Sequence, residues 1–149
     1  MKTVSQILGI RRGRVISVSP RETVLHALGI MAEHEIGALA VLARGQLVGV
    51  ISERDYARKV ALSGKTSRDT LVEQIMAHPV ICAHMDATLG DAMAMMSEHG
   101  IRHLPILDDH KELIGVVSIR DLVREILSEQ TFVIRQLESY LHSNIGVSQ

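Results

Sequence analysis

The feature that most constrains this chain is a phrase that occurs twice. Leu47-Val48-Gly49-Val50-Ile51-Ser52-Glu53-Arg54-Asp55 returns 66 positions later as Leu113-Ile114-Gly115-Val116-Val117-Ser118-Ile119-Arg120-Asp121. Each copy reads as a buried strand running into the first turn of a helix. The likeness extends upstream at an offset of 65: Glu33-His34-Glu35-Ile36 and Leu39 match Glu98-His99-Gly100-Ile101 and Leu104, and Thr23, Ala27 and Met31 match Thr88, Ala92 and Met96. One extra residue in the Asp108–Lys111 turn accounts for the slip. Two tandem copies of a unit of about sixty residues therefore fill most of the chain, and such units bury their apolar faces against one another.

Within each unit the order predicted is strand–helix–strand–strand–helix. In the first, Val15 to Val18 is a strand, Thr23 caps a helix, and Ala38–Leu42 and Leu47–Ile51 are strands. Neither of these two alternates apolar with polar, so both faces should be covered, as in α/β packing. Ser52 then opens a helix through Tyr56 and Val60. In the second unit, Val80–Ala83, His103–Leu107 and Leu113–Val117 are strands, and Thr88 to Glu98 is a helix whose Thr88-x-x-Asp91 resembles a capping box. Helical periodicity then runs from Ile119 through Leu141, beyond the repeat, and its surplus apolar residues suit a partner. Short helical segments precede each unit, at residues 3–10 and 71–76. The expected division is 1–14 N-terminal helix and connector, 15–63 first repeat, 64–79 linker, 80–127 second repeat and 128–149 helical extension. The fold class is α/β (α+β), two β-α-β-β-α repeats packed about an approximate twofold axis.

Composition narrows the function. A chain of 149 residues can bury a real core. Its net charge of −1, with 22% charged residues, argues against a clustered basic face for nucleic acid. Phe132, Tyr56 and Tyr140 are its only aromatic residues, too few for a base-stacking platform. No apolar run approaches the roughly 20 residues that span a bilayer, and no signal-peptide pattern opens the chain, so a cytoplasmic protein is expected. Cys82 is alone, which excludes a disulfide framework and a Cys-x-x-Cys pair; on an apolar strand it reads as a packed thiol.

The repeated Ser-x-x-Asp supports two readings. As a capping box, Ser accepts from an early helical N–H and the acid reaches back to the cap. Yet both copies use Asp, shorter than the usual Glu or Gln, and both place Arg immediately before it. A helix N-terminus attracts an anion, an Asp at a strand end can accept from two ribose hydroxyls, and Arg54 and Arg120 can bond phosphate. That pattern fits a nucleotide better than a catalytic centre. The Arg11-Arg12-Gly13-Arg14 connector is open between a solvated turn and a phosphate contact through Arg14. His99 and His103 stand four apart, but Gly100 breaks the helix between them, so no metal site is expected. No Ser/His/Asp order, paired catalytic carboxylates or glycine-rich phosphate loop stands out, and no enzyme is expected.

Gly-Val-Ile-Ser-Glu-Arg-Asp and Gly-Val-Val-Ser-Ile-Arg-Asp, at corresponding places, resemble the signature of a tandem pair of CBS domains, the regulatory motifs named after cystathionine β-synthase. Ile101-Arg102-His103-Leu104-Pro105-Ile106 is similar to their second-strand signature. The resemblance covers roughly residues 10 to 127, and the chain is similar to stand-alone bacterial members. It implies a module with two clefts for adenosine-containing ligands: AMP, ADP, ATP, S-adenosylmethionine or NAD(H). By that resemblance Asp55 and Asp121 hold ribose hydroxyls, Ser52 and Ser118 bond ribose or phosphate, and Arg54 and Arg120 face phosphate. Adenine lies on the first strand of the opposite unit, Val15 and Ile16 for the Asp121 cleft, Val80 and Ile81 for the Asp55 cleft. Ile36, Gly37 and Ala38 line one wall and Ile101, Arg102 and His103 the other. Where the family commonly has Thr this chain has Ser, which keeps the hydroxyl. Unequal second strands suggest unequal occupancy, with phosphate drawn toward Arg102 and His103. The resemblance further implies a flat homodimer and a non-catalytic sensor of energy or redox state. The alternative is a structural adaptor that binds a target protein without sensing nucleotide.

Overall fold

In a computed structural model, residues 2–9 and 15–145 are described. Each unit contributes one three-stranded sheet. In the first, β1 (Ser17–Val18) pairs parallel with β2 (Ala38–Ala43), which pairs antiparallel with β3 (Gln46–Ser52). In the second, β4 (Ala83–His84), β5 (His103–Leu107) and β6 (Leu113–Ser118) repeat that topology. Helix α2 (Val24–His34) joins β1 to β2, and α5 (Leu89–His99) joins β4 to β5. Each sheet is followed by a helix, α3 (Glu53–Tyr56) in the first unit and α6 (Ile119–Ile145) in the second. Two mixed α+β units of one topology therefore stand in tandem.

The linking helices form where they do because their caps are built into the repeat. Thr23 Oγ1 accepts from His26 N at 3.1 Å, and Thr88 Oγ1 accepts from Asp91 N at 3.1 Å while Asp91 returns a bond to Thr88 N. Both helices end on a left-handed residue, Glu35 (φ 53°) and Gly100 (φ 62°). The first helix thus ends on a cap two residues before Gly37, and glutamate takes the strained position where glycine suits best. The stripe Val24, Ala27, Met31 is buried, as is its counterpart Leu89, Ala92, Met96. In β2, Ala38 to Val41 are all buried, the continuous pattern of a strand covered on both faces.

Two helices lie outside the strand–helix–strand–strand–helix scheme, and they exchange places. Helix α1 (Val4–Gly9) packs on the second unit, where Val4 is fully buried beside Leu104, Val117 and Leu122. Helix α4 (Val72–Ile75) packs on the first, with Val72 and Ile75 beside Leu39, Ile51 and Val60. The backbone repeats the exchange: Thr3 bridges Thr88, and Leu71 bridges Thr23. The glycines of the repeated phrase permit this approach. A Cβ on Gly115 would lie 2.9 Å from a Leu8 methyl, and one on Gly49 would lie 2.5 Å from Met76 Sδ.

Both first strands and the helix after β3 depart from the reading of the sequence, whereas the long final helix follows it. The first strands are shorter, because Val15–Ile16 and Val80–Ala83 owe their apolar character only partly to a ladder; pairing begins at Ser17 and at Ala83. The helix after β3 is a single turn that passes into a π-helical turn, Ala57–Ala61, which seats Val60 in the core. Helix α6 runs 27 residues, about 40 Å at 1.5 Å per residue.

Candidate functional site

Two clefts open between the units, one at the N-terminus of α6 and one at that of α3. The Asp121 cleft, of about 640 Å³, is lined by Ser118, Arg120 and Asp121 from β6 and α6, and by Val15, Ile16, Ile36, Gly37 and Ala38 from the first unit. The Asp55 cleft, of about 450 Å³, is lined by Ser52, Arg54 and Asp55, and by Val80, Ile81 and Ile101 from the second unit. Val15 and Ile16, and Val80 and Ile81, having left the sheets, supply apolar walls. Arg14 lies outside the described residues. Gly37, Glu53, Arg102 and His103 line both clefts. Arg102 and His103 thus stand between the two clefts, and lining alone assigns them to neither.

The capping reading of Ser-x-x-Asp is realised in both copies. Asp55 Oδ2 accepts from Ser52 N at 2.9 Å and from Ser52 Oγ at 3.0 Å, and Asp55 N donates to Ser52 Oγ at 3.1 Å. Asp121 Oδ2 likewise accepts from Ser118 N at 2.9 Å, and Asp121 N donates to Ser118 Oγ at 3.1 Å. Aspartate suffices because the Ser cap is extended (φ −126°, ψ 162° at Ser52), which brings its own N–H toward the carboxylate. The cap bonds run to Oδ2 in each copy, and each aspartate lines its cleft while closing its helix. In the Asp55 cleft, Oδ1 faces Lys59 Nζ at 3.2 Å, and that ammonium also donates to Ile75 O at 2.9 Å.

The arginines of both clefts are exposed, so an anion at the mouth would cost them little desolvation. His103 is half-buried between the clefts. Burial holds its imidazole below the usual 6.5, against the pull of the Asp121 and Glu53 carboxylates and with a smaller contribution from Arg102. It is neutral near pH 7 and can accept or donate one hydrogen bond. Glu35, Glu53, Arg58, Lys59 and Arg124 also line the clefts and were missed in the sequence. Arg58 and Arg124 stand 66 positions apart, so the repeat register could have found them.

A surface cluster of His84, Asp86 and Asp109 has ligand atoms within 4.8 Å of one another. Hydrogen bonding accounts for it: Asp86 N donates to His84 Nδ1 at 3.1 Å, which leaves Nε2–H to donate to Asp109 at 2.8 Å. Cys82 is a half-buried free thiol. Among the described residues no helix is long and apolar enough to cross a membrane.

Comparison with known proteins gives a consistent result. The family model described as CBS domain matches residues 4–62 and 72–128. The mitochondrial CBS domain-containing protein CBSX3 of Arabidopsis thaliana is 37% identical over 125 residues, which is 80% of this chain and 60% of that protein. The chain thus spans about three fifths of that relative's length. A protein with CBS domains from Burkholderia ambifaria superposes with a TM-score of 0.82 at 40% identity, covering 87% of this chain and 96% of that one. The CBS domain pair of protein MJ0100, in complex with 5′-methylthioadenosine and S-adenosyl-L-methionine, superposes with a TM-score of 0.76 at 28% identity over 87% of this chain and 98% of that one.

Proposed function

The chain belongs to the CBS domain family, and on that premise we propose that it is a regulatory module whose two clefts bind adenosine-containing ligands, with no catalysis of its own. The observation that carries this reading is the repeated site. Each cleft sets a Ser-capped helix N-terminus, an aspartate and an arginine opposite an apolar wall contributed by the other unit. Ribose hydroxyls suit the aspartate, adenine suits the apolar wall, and a phosphate suits the arginine and the helix dipole. The adenosine ligands of the MJ0100 pair support the same class here. AMP, ADP, ATP and NAD(H) all carry these groups, so the signal read is an energy or redox state. Because a ligand touches both units, it favours whichever mutual arrangement it fits best.

The output surface we propose is the exposed half of α6. Leu127, Val133, Ile134, Leu137, Tyr140 and Leu141 are each more than half exposed. Leu127, Ile134, Leu137 and Leu141 follow the four-three spacing of a helix seam, which suits a second copy of the chain in a homodimer. The same stripe favours the second reading, an adaptor that engages a target protein without sensing nucleotide.

Thermal unfolding with AMP, ADP, ATP, NAD⁺, NADH and S-adenosylmethionine tests the first reading. A ligand at 100 times its Kd stabilises the native state by about 2.7 kcal/mol, which is roughly 8 °C for a chain of this size. Stabilisation by at least one compound, reduced when Asp55 and Asp121 are both changed to Asn, is the expected result. No shift with any of them, on protein shown to be nucleotide-free, would move the assignment to the adaptor.

A further inference from the structure

We infer that the two clefts take ligands of different charge, the Asp55 cleft an adenosine polyphosphate and the Asp121 cleft an adenosine compound of low charge, and that Lys59 and Glu35 make the difference. This rests on the adenosine-binding reading and adds the specificity of each cleft. The Asp121 cleft holds the carboxylates of Glu35, Glu53 and Asp121 against the cations Arg102, Arg120 and Arg124. They balance. The Asp55 cleft holds Glu53 and Asp55 against Arg54, Arg58, Lys59 and Arg102, an excess of two positive charges. Most of these groups cancel in the comparison. Glu53 and Arg102 are shared, and Asp55, Arg54 and Arg58 correspond to Asp121, Arg120 and Arg124 through the repeat.

Among the described residues, what remains is one on each side. Glu35, the left-handed cap of α2, lines the Asp121 cleft where its repeat counterpart Gly100 lines the Asp55 cleft. Lys59 lines the Asp55 cleft, and its counterpart Glu125 turns away from the Asp121 cleft to pair with Lys2. The π-helical turn carries Lys59, whose ammonium bonds Asp55 Oδ1 and Ile75 O. A ribose arriving at Asp55 competes for that oxygen, and a phosphate offers the displaced ammonium a new partner. Lys59 thus links ribose binding to the presence of phosphate in this cleft. One full charge at the distances within such a cleft changes the affinity for an anion on the order of tenfold.

The test uses methyl NMR on the intact 16.4 kDa chain, because Ile16 lines only the Asp121 cleft and Ile81 only the Asp55 cleft. Titrations with adenosine and with ATP follow both methyls. ATP should shift Ile81 at concentrations about tenfold or more below those that shift Ile16, whereas adenosine should show no such preference. Lys59→Gln should weaken ATP at Ile81 about tenfold, while adenosine, relieved of the competition for Asp55 Oδ1, should bind at least as tightly as to the parent. Glu35→Lys should strengthen ATP at Ile16 by tenfold or more. Equal ATP affinity at both methyls, or an equal loss of adenosine and ATP in Lys59→Gln, overturns the charge partition while adenosine binding stands. Failure of both ligands to move either methyl overturns the adenosine reading itself, and the partition with it.

Discussion

Replacing Gly115 with alanine should loosen the second unit by a calculable amount. The glycine lies in β6 beneath α1, and the added Cβ would stand 2.9 and 3.0 Å from the two Leu8 methyls. Contacts that short force the helix or the side chain outward, and overpacking of this kind costs about 1–3 kcal/mol. Gly115 has no positive φ, so alanine can adopt its backbone. The substitution then recovers about 0.4–1 kcal/mol by restricting the unfolded chain. A net loss of about 1–2 kcal/mol remains, which lowers Tm by roughly 3–6 °C at this length. Calorimetry of Gly115→Ala, Leu8→Ala and the double variant isolates the contact. Leu8→Ala is itself destabilising, because it removes a half-buried side chain, but it also makes room for the new methyl. The double variant should therefore be more stable than the sum of the two losses by about 1–2 kcal/mol. A Tm for Gly115→Ala within 1 °C of the parent, or additive losses in the double variant, would refute the close approach of α1 as the reason for glycine.

Two further outcomes follow from the geometry. Because burial depresses the His103 imidazole below 6.5, the unfolded chain takes up that proton first on acidification, so stability is fully present above about 6.5 and declines as pH falls from there toward the lower folded value. Between pH 7 and pH 5 the Tm of the parent should fall more steeply than that of His103→Gln, and parallel slopes in calorimetry would contradict the assignment. The α6 stripe predicts a dimer: sedimentation velocity at about 50 µM should give twice the monomer mass, and Leu137→Glu should give the monomer with an unchanged near-ambient fold. A monomeric parent at that concentration would remove the homodimer.

Much of the fold was legible because its signals are local. Thr23 and Thr88 announce their helices through cap bonds that span three residues. The runs at Ala38–Leu42, Leu47–Ile51, His103–Leu107 and Leu113–Val117 are apolar enough to read as strands, and each lies in a strand of the structure. The exchange of α1 and α4 was not seen. Val4, Gln6, Ile7 and Leu8 match Val72, Gln74, Ile75 and Met76 at an offset of 68, a signal short enough to be lost beside the longer repeat. Nor does any local pattern tell that α1 belongs with the second unit, since Val4 finds Leu104 and Val117 across a hundred residues of chain.

The candidate site divides in the same way. Ser52, Asp55, Ser118 and Asp121 were legible as pairs because a cap is a relation between near neighbours. That Arg102, His103, Gly37 and Glu53 face both clefts is a relation between units, and no spacing in the chain encodes it. By itself the sequence determined the repeat, the order of elements within it and the residues that close each helix, since these depend on backbone preference and on contacts within a few residues. Only the tertiary structure decided which helix completes which unit, where Lys59 and Glu35 stand, and how two similar motifs came to line clefts of different charge. Those features depend on burial and on electrostatic neighbours brought together from distant parts of the chain, and such energies exist only once the units have packed.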